Sequence, residues 1–518
     1  MTKRATTGEM LVYAAIILAS LPVRLGSMHT SLWLDEAWVA NSVLTPSWKE
    51  MFYYSQWDQV SPSLYLALTR LLTSVFGYSE PALRILPLTA GLLALPVLAI
   101  ALRKLFGRAA ALCGVALLAA NFWAVKYSQQ VKQYGTDVLA GATIVFLLVR
   151  YFYTPSQRNF AWLVGGVFIL TFLANTAVFA IPSALLLIIL RLERPGAFIR
   201  SVRVWVAGAL LALCVALNYL VFVHPNQDRS LVAFWAASCL DARHLLTSAQ
   251  KLFMAFAELL VPPISPVAVY AGAMAALVLL AGACMAVFQA VRGSDKAVLI
   301  LLAGPLPIAV AAAYSMTGSY PVQGYPRMLV WALPGCAVLL ATAVEPLFGT
   351  GPRTFYSLAA AALVAVIVLQ VVITRSPRPE ERNREAMQLL SQSMNPSDLL
   401  FVYSGVLEQY EYYARLQGWT PPHAYLGNFG WPCCARNTEK RASSPGIHNF
   451  AADLRQAVQV KQPGGRVWMF LPSAQTGHWS AGLRERLNLV PEIMRGVSCH
   501  EILRAGFDQS LVLGYECL

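Results

Sequence analysis

Leu32-Trp33-Leu34-Asp35-Glu36-Ala37-Trp38 is the stretch on which the reading of this chain turns. It follows an apolar run over residues 10–26, close to the ~20 residues that cross a bilayer. Two adjacent carboxylates therefore stand at a membrane boundary, flanked by tryptophans, which favour that interface. Solubility alone does not call for acids there. The plain alternative is that Asp35 or Glu36 caps the helix that follows, since Asp is a good N-cap.

Around this motif the chain is strongly apolar. Of its 518 residues 57% are hydrophobic and only 13% charged, where a soluble domain carries about 25% charged residues. Mean hydropathy is +0.55. The pattern predicts about eleven spans, over 10–26, 87–103, 109–125, 137–153, 160–175, 177–191, 204–223, 265–290, 297–314, 328–344 and 355–373. The sequence after the first span lacks a convincing cleavage site, so that span is expected to stay uncleaved. Short joints bearing Lys3, Arg4, Arg103, Lys104, Arg108, Arg150, Arg158, Arg191, Arg292 and Lys296 lie on one side. The positive-inside rule makes that side cytoplasmic. The expectation is a multi-pass protein of a bacterial inner membrane, N-terminus inside and residues 375–518 outside. The net charge of +13 divides as 24 Lys and Arg against 13 acids before residue 375, and 15 against 13 after it. A surplus beside spans reflects orientation and anionic lipid, and no basic or aromatic module points to nucleic acid.

The outer connections carry charges that orientation does not require. The first, residues 27–86, includes Ser63–Phe76, too short and too charged (Arg70) to span, and reads as an interfacial helix. The second is Lys126-Tyr127-Ser128-Gln129-Gln130-Val131-Lys132-Gln133-Tyr134, closed by Asp137. Before the tenth span, another outer loop reads Tyr320-Pro321-Val322-Gln323-Gly324-Tyr325-Pro326-Arg327. Each of these cations also reads as a snorkelling anchor. Taken together with the acid pair, they suit transfer from a lipid phosphate. A departing phosphate needs a fixed cation more than a proton, and the incoming hydroxyl needs a carboxylate base. A single displacement with one carboxylate inverts the anomeric carbon. The candidate base is Asp35, with Glu36 next, and Lys126, Lys132 and Arg327 are candidates for the phosphate.

Trp33-Leu34-Asp35-Glu36-Ala37, then Ser61-Pro62-Ser63-Leu64-Tyr65, Ser79-Glu80-Pro81-Ala82-Leu83-Arg84-Ile85-Leu86-Pro87 and Tyr127–Tyr134 together resemble the GT-C superfamily of integral-membrane glycosyltransferases. They are most similar to the branch of protein O-mannosyltransferases and the lipid A aminoarabinose transferase. The resemblance covers residues 10–345, most specifically 30–140. It implies a mainly α, polytopic GT-C fold, Asp35 as the catalytic aspartate, and basic residues on a polyprenyl phosphate. Trp33, Tyr65, Arg84, Tyr127, Gln130, Tyr134, Asp137 and Tyr325 become candidates for the substrate pocket. Gln130 stands where the family's motif carries Glu, which weakens any divalent metal shared between loops. The reading calls for no cofactor and no metal. The expected partners are a polyprenyl-phosphate-linked sugar and a lipid, glycan or protein acceptor bearing a hydroxyl. A transporter or flippase for a lipid-linked glycan is the alternative; its marks, repeated halves and midplane charges, are not found.

Two domains are expected: residues 1–374 in the membrane and 375–518 as a soluble α/β unit outside it. Leu399–Tyr403, Val467–Leu471 and Ser510–Leu513 read as strands, Glu408–Leu416 and Gly482–Leu489 as helices. Cys433, Cys434, Cys499 and Cys517 fall in this tail, in what would be an oxidising compartment. Neighbouring cysteines pair poorly with each other, so one bridge from each of Cys433 and Cys434 to Cys499 and Cys517 is expected. The tail is assigned to acceptor handling or stability.

Overall fold

The computed structural model describes residues 6–53, 60–192, 195–227, 235–324, 326–348, 352–375, 382–421, 423–427, 447–472, 480–507 and 510–517. Among the described residues, seven helices are long and apolar enough to cross a membrane: Thr7–Leu25, Glu80–Phe106, Tyr134–Tyr153, Val202–Asn226, Pro266–Val291, Asp295–Ser315 and Val330–Leu347. Shorter apolar helices at Arg108–Ala120, Gln157–Leu173, Asn175–Leu190 and Arg353–Leu369 match the remaining expected spans. Ser63–Phe76 is also a helix, and its charge is satisfied at the surface. Arg70 donates to the carbonyls of Pro46 and Ser47, each at 3.0 Å, and lies over Trp48.

The two ends of the bundle differ in chemistry. At one end Glu9 pairs with Arg103 (2.7 Å) and Arg108 (3.6 Å), Lys296 with Glu345 (2.7 Å) and Arg191 with Asp295 (3.7 Å). The helix that begins at Thr7 runs ~24 Å from Glu9 to Leu25, and the motif follows at the opposite end. The long helix Glu80–Phe106 starts there, capped by Ser79, whose hydroxyl accepts from Ala82 N–H. Residues 128–135 press against it. A Cβ at Gly135 would meet Pro87 O at 2.5 Å, and one at Gly91 would meet Ser128 Cβ at 2.6 Å. These two glycines let the Lys126–Tyr134 connection approach the helix closely.

Among the described residues the tail carries five strands: β1 (Leu399–Val402), β2 (His423–Leu426), β3 (Val467–Pro472), β4 (Cys499–Phe507) and β5 (Ser510–Cys517). Their order is β2-β1-β3-β5-β4; β1 runs parallel to β2 and β3, while β5 is antiparallel to β3 and β4. The expected strands form β1, β3 and β5, and the expected helices are Leu407–Gln417 and Ser480–Gly496. The two edge strands were not foreseen. β4 is largely exposed and β2 has no fully buried residue, so neither carries the continuous apolar signal of β1 or β3.

The tail shares a buried core with the motif region. Leu32, Val39, Val43, Tyr65, Leu83 and Val131 share one buried cluster with Leu390, Phe401, Tyr413, Leu454 and Phe470. One expectation for the tail needs correction, the pairing of its cysteines: Cys499 is bonded to Cys517 and not to Cys433 or Cys434. These two stand opposite each other on the paired strands β4 and β5, a proximity that hairpin register creates and residue spacing does not reveal. Cys433 and Cys434 lie outside the described residues.

Candidate active site

The motif forms a short helix, Leu34–Val43, so Asp35 and Glu36 leave it in different directions. Asp35 faces the outer connection that carries Arg327. Its Oδ2 accepts from Arg327 Nη1 at 2.7 Å, and the two side chains remain 14% and 16% exposed. Lys132 joins them from the second connection. It is 5% exposed, its ammonium lies 5.7 Å from the Trp38 ring, and it feels the charges of Asp35, Arg327 and Glu36. Burial pulls its pKa from the ordinary 10.5 down to about 8; Asp35 and Glu36 oppose that shift and Arg327 adds to it. Asp35 and Arg327 thus meet directly, and Lys132, from a further connection, lies close enough to feel both charges.

Glu36 turns inward. Arg84 donates to it from Nε (3.1 Å) and Nη2 (2.8 Å), and Val131 N–H adds a third bond at 2.7 Å. Both side chains of the pair are 2% exposed. Arg84 also donates to the carbonyls of Ser27, Met28 and Thr30, so one guanidinium organises the chain leading into the motif. Every oxygen of Glu36 is engaged. Neither catalysis for Glu36 nor a pocket role for Arg84 fits this geometry: the pair is the foundation of the site.

The other sequence candidates divide in the same way. Tyr127 is buried, its hydroxyl accepts from the backbone N–H of Arg327, and its ring lies 5.0 Å from that of Tyr134. Lys126 is exposed, with its ammonium over Trp123. Trp33 Nε1 and Gln130 Oε1 are buried polar atoms without hydrogen-bond partners among the described residues, and the Tyr65 side chain is fully buried. Asp137 accepts from Thr176 Oγ1 at 2.9 Å and lines a narrow cleft with Gly141, Trp331 and Gly335. Tyr325 lies outside the described residues. Among the described residues, no group of three or more His, Cys, Asp or Glu side chains is placed to hold a metal ion.

Sequence reading missed Trp38 and Trp235, which lie under Lys132 and Arg327. It also missed the tail. Tyr413 Oη accepts from Leu32 N–H (2.7 Å) and donates to Glu80 (3.0 Å), Asn383 Nδ2 donates to Leu32 O (3.1 Å), and Asn41 Nδ2 donates to Glu408 O (2.9 Å). Glu80 lies within a quoted motif, but nothing in the sequence signals its partner 333 positions away.

Among solved structures, ArnT from Cupriavidus metallidurans bound to undecaprenyl phosphate superposes with a TM-score of 0.59, at 14% identity over 98% of both chains. The chain has the GT-C fold. The apo state of the same ArnT superposes equally well, with a TM-score of 0.59 at 13% identity over 98% of both chains. The arabinosyltransferase EmbB from Mycobacterium smegmatis gives 0.34, at 16% identity over 81% of this chain and 44% of that one, too loose to bear on the site. No family model matches the sequence, and no curated protein matches it. Within the GT-C fold found here, the helical bundle and the tail are both covered by the likeness to ArnT.

Proposed function

We propose that the chain is an inverting glycosyltransferase that moves a sugar from a polyprenyl phosphate to an acceptor hydroxyl. The observation that carries this is the meeting of one accessible carboxylate, Asp35, with Arg327 and Lys132. In the reaction the acceptor oxygen bonds to the anomeric carbon as the bond from that carbon to the phosphate oxygen breaks. The acceptor proton goes to Asp35, and polyprenyl phosphate departs with the electron pair. Arg327 and Lys132 stabilise the charge that grows on the phosphate. A donor phosphate that reaches Arg327 competes with Asp35 for the guanidinium, which frees a carboxylate oxygen for the acceptor. Glu36, saturated by Arg84 and Val131 N–H, offers no second carboxylate for a covalent intermediate, and this favours inversion.

The reaction needs no cofactor on this reading, and the two cations beside Asp35 oppose a divalent metal. The positive-inside pattern supports a bacterial inner membrane, with the ion-paired end of the bundle cytoplasmic and the motif, with residues 375–518, on the outer face. The acceptor is then a lipid, glycan or protein of the cell envelope. The test is mass spectrometry of lipid co-purified with the membrane protein, followed by transfer assays with the sugar found. A polyprenyl-phosphate sugar consumed with inversion is the expected result. Movement of the lipid across vesicles without cleavage of the sugar would overturn the assignment in favour of a flippase.

A further inference from the structure

Leu32 stands one residue before Trp33, the N-cap of the Asp35 helix, and both of its backbone groups are held by the tail. Its N–H donates to Tyr413 Oη, and its carbonyl accepts from Asn383 Nδ2. At the far end of the same ten-residue helix, Asn41 donates to the carbonyl of Glu408. The Tyr413 hydroxyl is used twice, since it also donates to Glu80, which lies one helical turn before Arg84. That single oxygen couples the chain entering the motif to the helix whose Arg84 grips Glu36.

We propose that Tyr413 is a positioning residue for Asp35, so that the tail takes part in the bond-making step by setting where the carboxylate stands. This rests on the reading of Asp35 as the base. A base must lie within hydrogen-bond reach of the proton it removes, and a displacement of about 1 Å can cost roughly 100-fold in rate. The Asp35 helix is short, and its orientation depends on what holds its ends. The membrane portion holds it through Glu36, and the tail holds it through Leu32 and Asn41.

The neighbouring tyrosine provides the control. Tyr412 is equally buried, but its hydroxyl has no hydrogen-bond partner among the described residues. The experiment measures kcat and donor KM per folded enzyme for full-length Tyr413→Phe, Tyr412→Phe and Asp35→Asn. Tyr413→Phe is expected to lower kcat roughly 10–100-fold, with donor KM within about twofold, while Tyr412→Phe stays near the parent. A Tyr413→Phe kcat within about fivefold of the parent overturns the proposal, as does an equal loss in both tyrosine variants, which marks general packing. Should Tyr413→Phe fold poorly, Asn383→Ala tests the same Leu32 contact under the same criteria. Full activity in Asp35→Asn is the separate outcome that removes the reading beneath.

Discussion

Asp35 and Glu36 are neighbours in the chain, yet they belong to two different regions of the molecule. Around Glu36 an acid and an arginine are sealed from solvent, and each carboxylate oxygen has its donor. Around Asp35 an acid and an arginine sit in a partly open place, next to a lysine whose charged form is disfavoured by burial. Breaking a buried pair leaves an uncompensated charge and damages the fold, whereas an accessible pair can exchange partners with a ligand. The first region is therefore built to stay fixed and the second to react.

The largest test of this contrast removes each charge without changing shape. Asp35→Asn should lower turnover by roughly 10²–10⁴-fold and leave the unfolding temperature unchanged. Glu36→Gln should do the reverse, losing ~3–5 kcal/mol of stability because Arg84 keeps its buried charge. Thermal unfolding beside turnover, in the same membrane mimetic, separates them. Parallel losses of rate and stability in both variants would dissolve the distinction.

A second test uses pH. Lys132 is protonated below about 8 and neutral above it, since burial lowers its pKa from 10.5. If the ammonium binds the donor phosphate, donor use should fall as pH rises through about 8. Stability should move the other way. The fold carries the cost of a buried cation at low pH and is relieved of it as pH rises from about 8 towards 10.5. Lys132→Met should abolish the alkaline fall in donor use by removing the charge at every pH, and should unfold at a higher temperature than the parent at pH 7. A donor profile in the parent that stays flat through pH 8 would take Lys132 out of the reactive region. The smallest effect is expected for Lys126→Met. Its exposed contact with Trp123 is worth ~0.5–1 kcal/mol, so turnover should change by no more than about fivefold. A larger loss would extend the reactive region to Lys126.

Much of the bundle was legible because a bilayer demands long apolar stretches, and these stand out in any sequence. All three strongly apolar strands of the tail were legible for a related reason, since buried strands read as continuous apolar runs. The edge strands β2 and β4 were not, and neither was the Cys499–Cys517 bridge, which depends on the pairing of an unforeseen strand. The tail's involvement at Leu32 was invisible because Tyr413 and Asn383 sit in ordinary amphipathic helices, with nothing local to mark them as ligands of a distant backbone.

By itself the sequence determined that the chain spans a membrane, that two acids follow its first span, and that cations occur in later connections at the same end of the bundle. Only the tertiary structure decided which acid is accessible. Successive residues on a helix project about 100° apart, so Asp35 and Glu36 meet partners brought from residues 327, 84 and 131. A carboxylate's chemistry is set by its burial and its donors, and those are supplied by segments that only folding brings together.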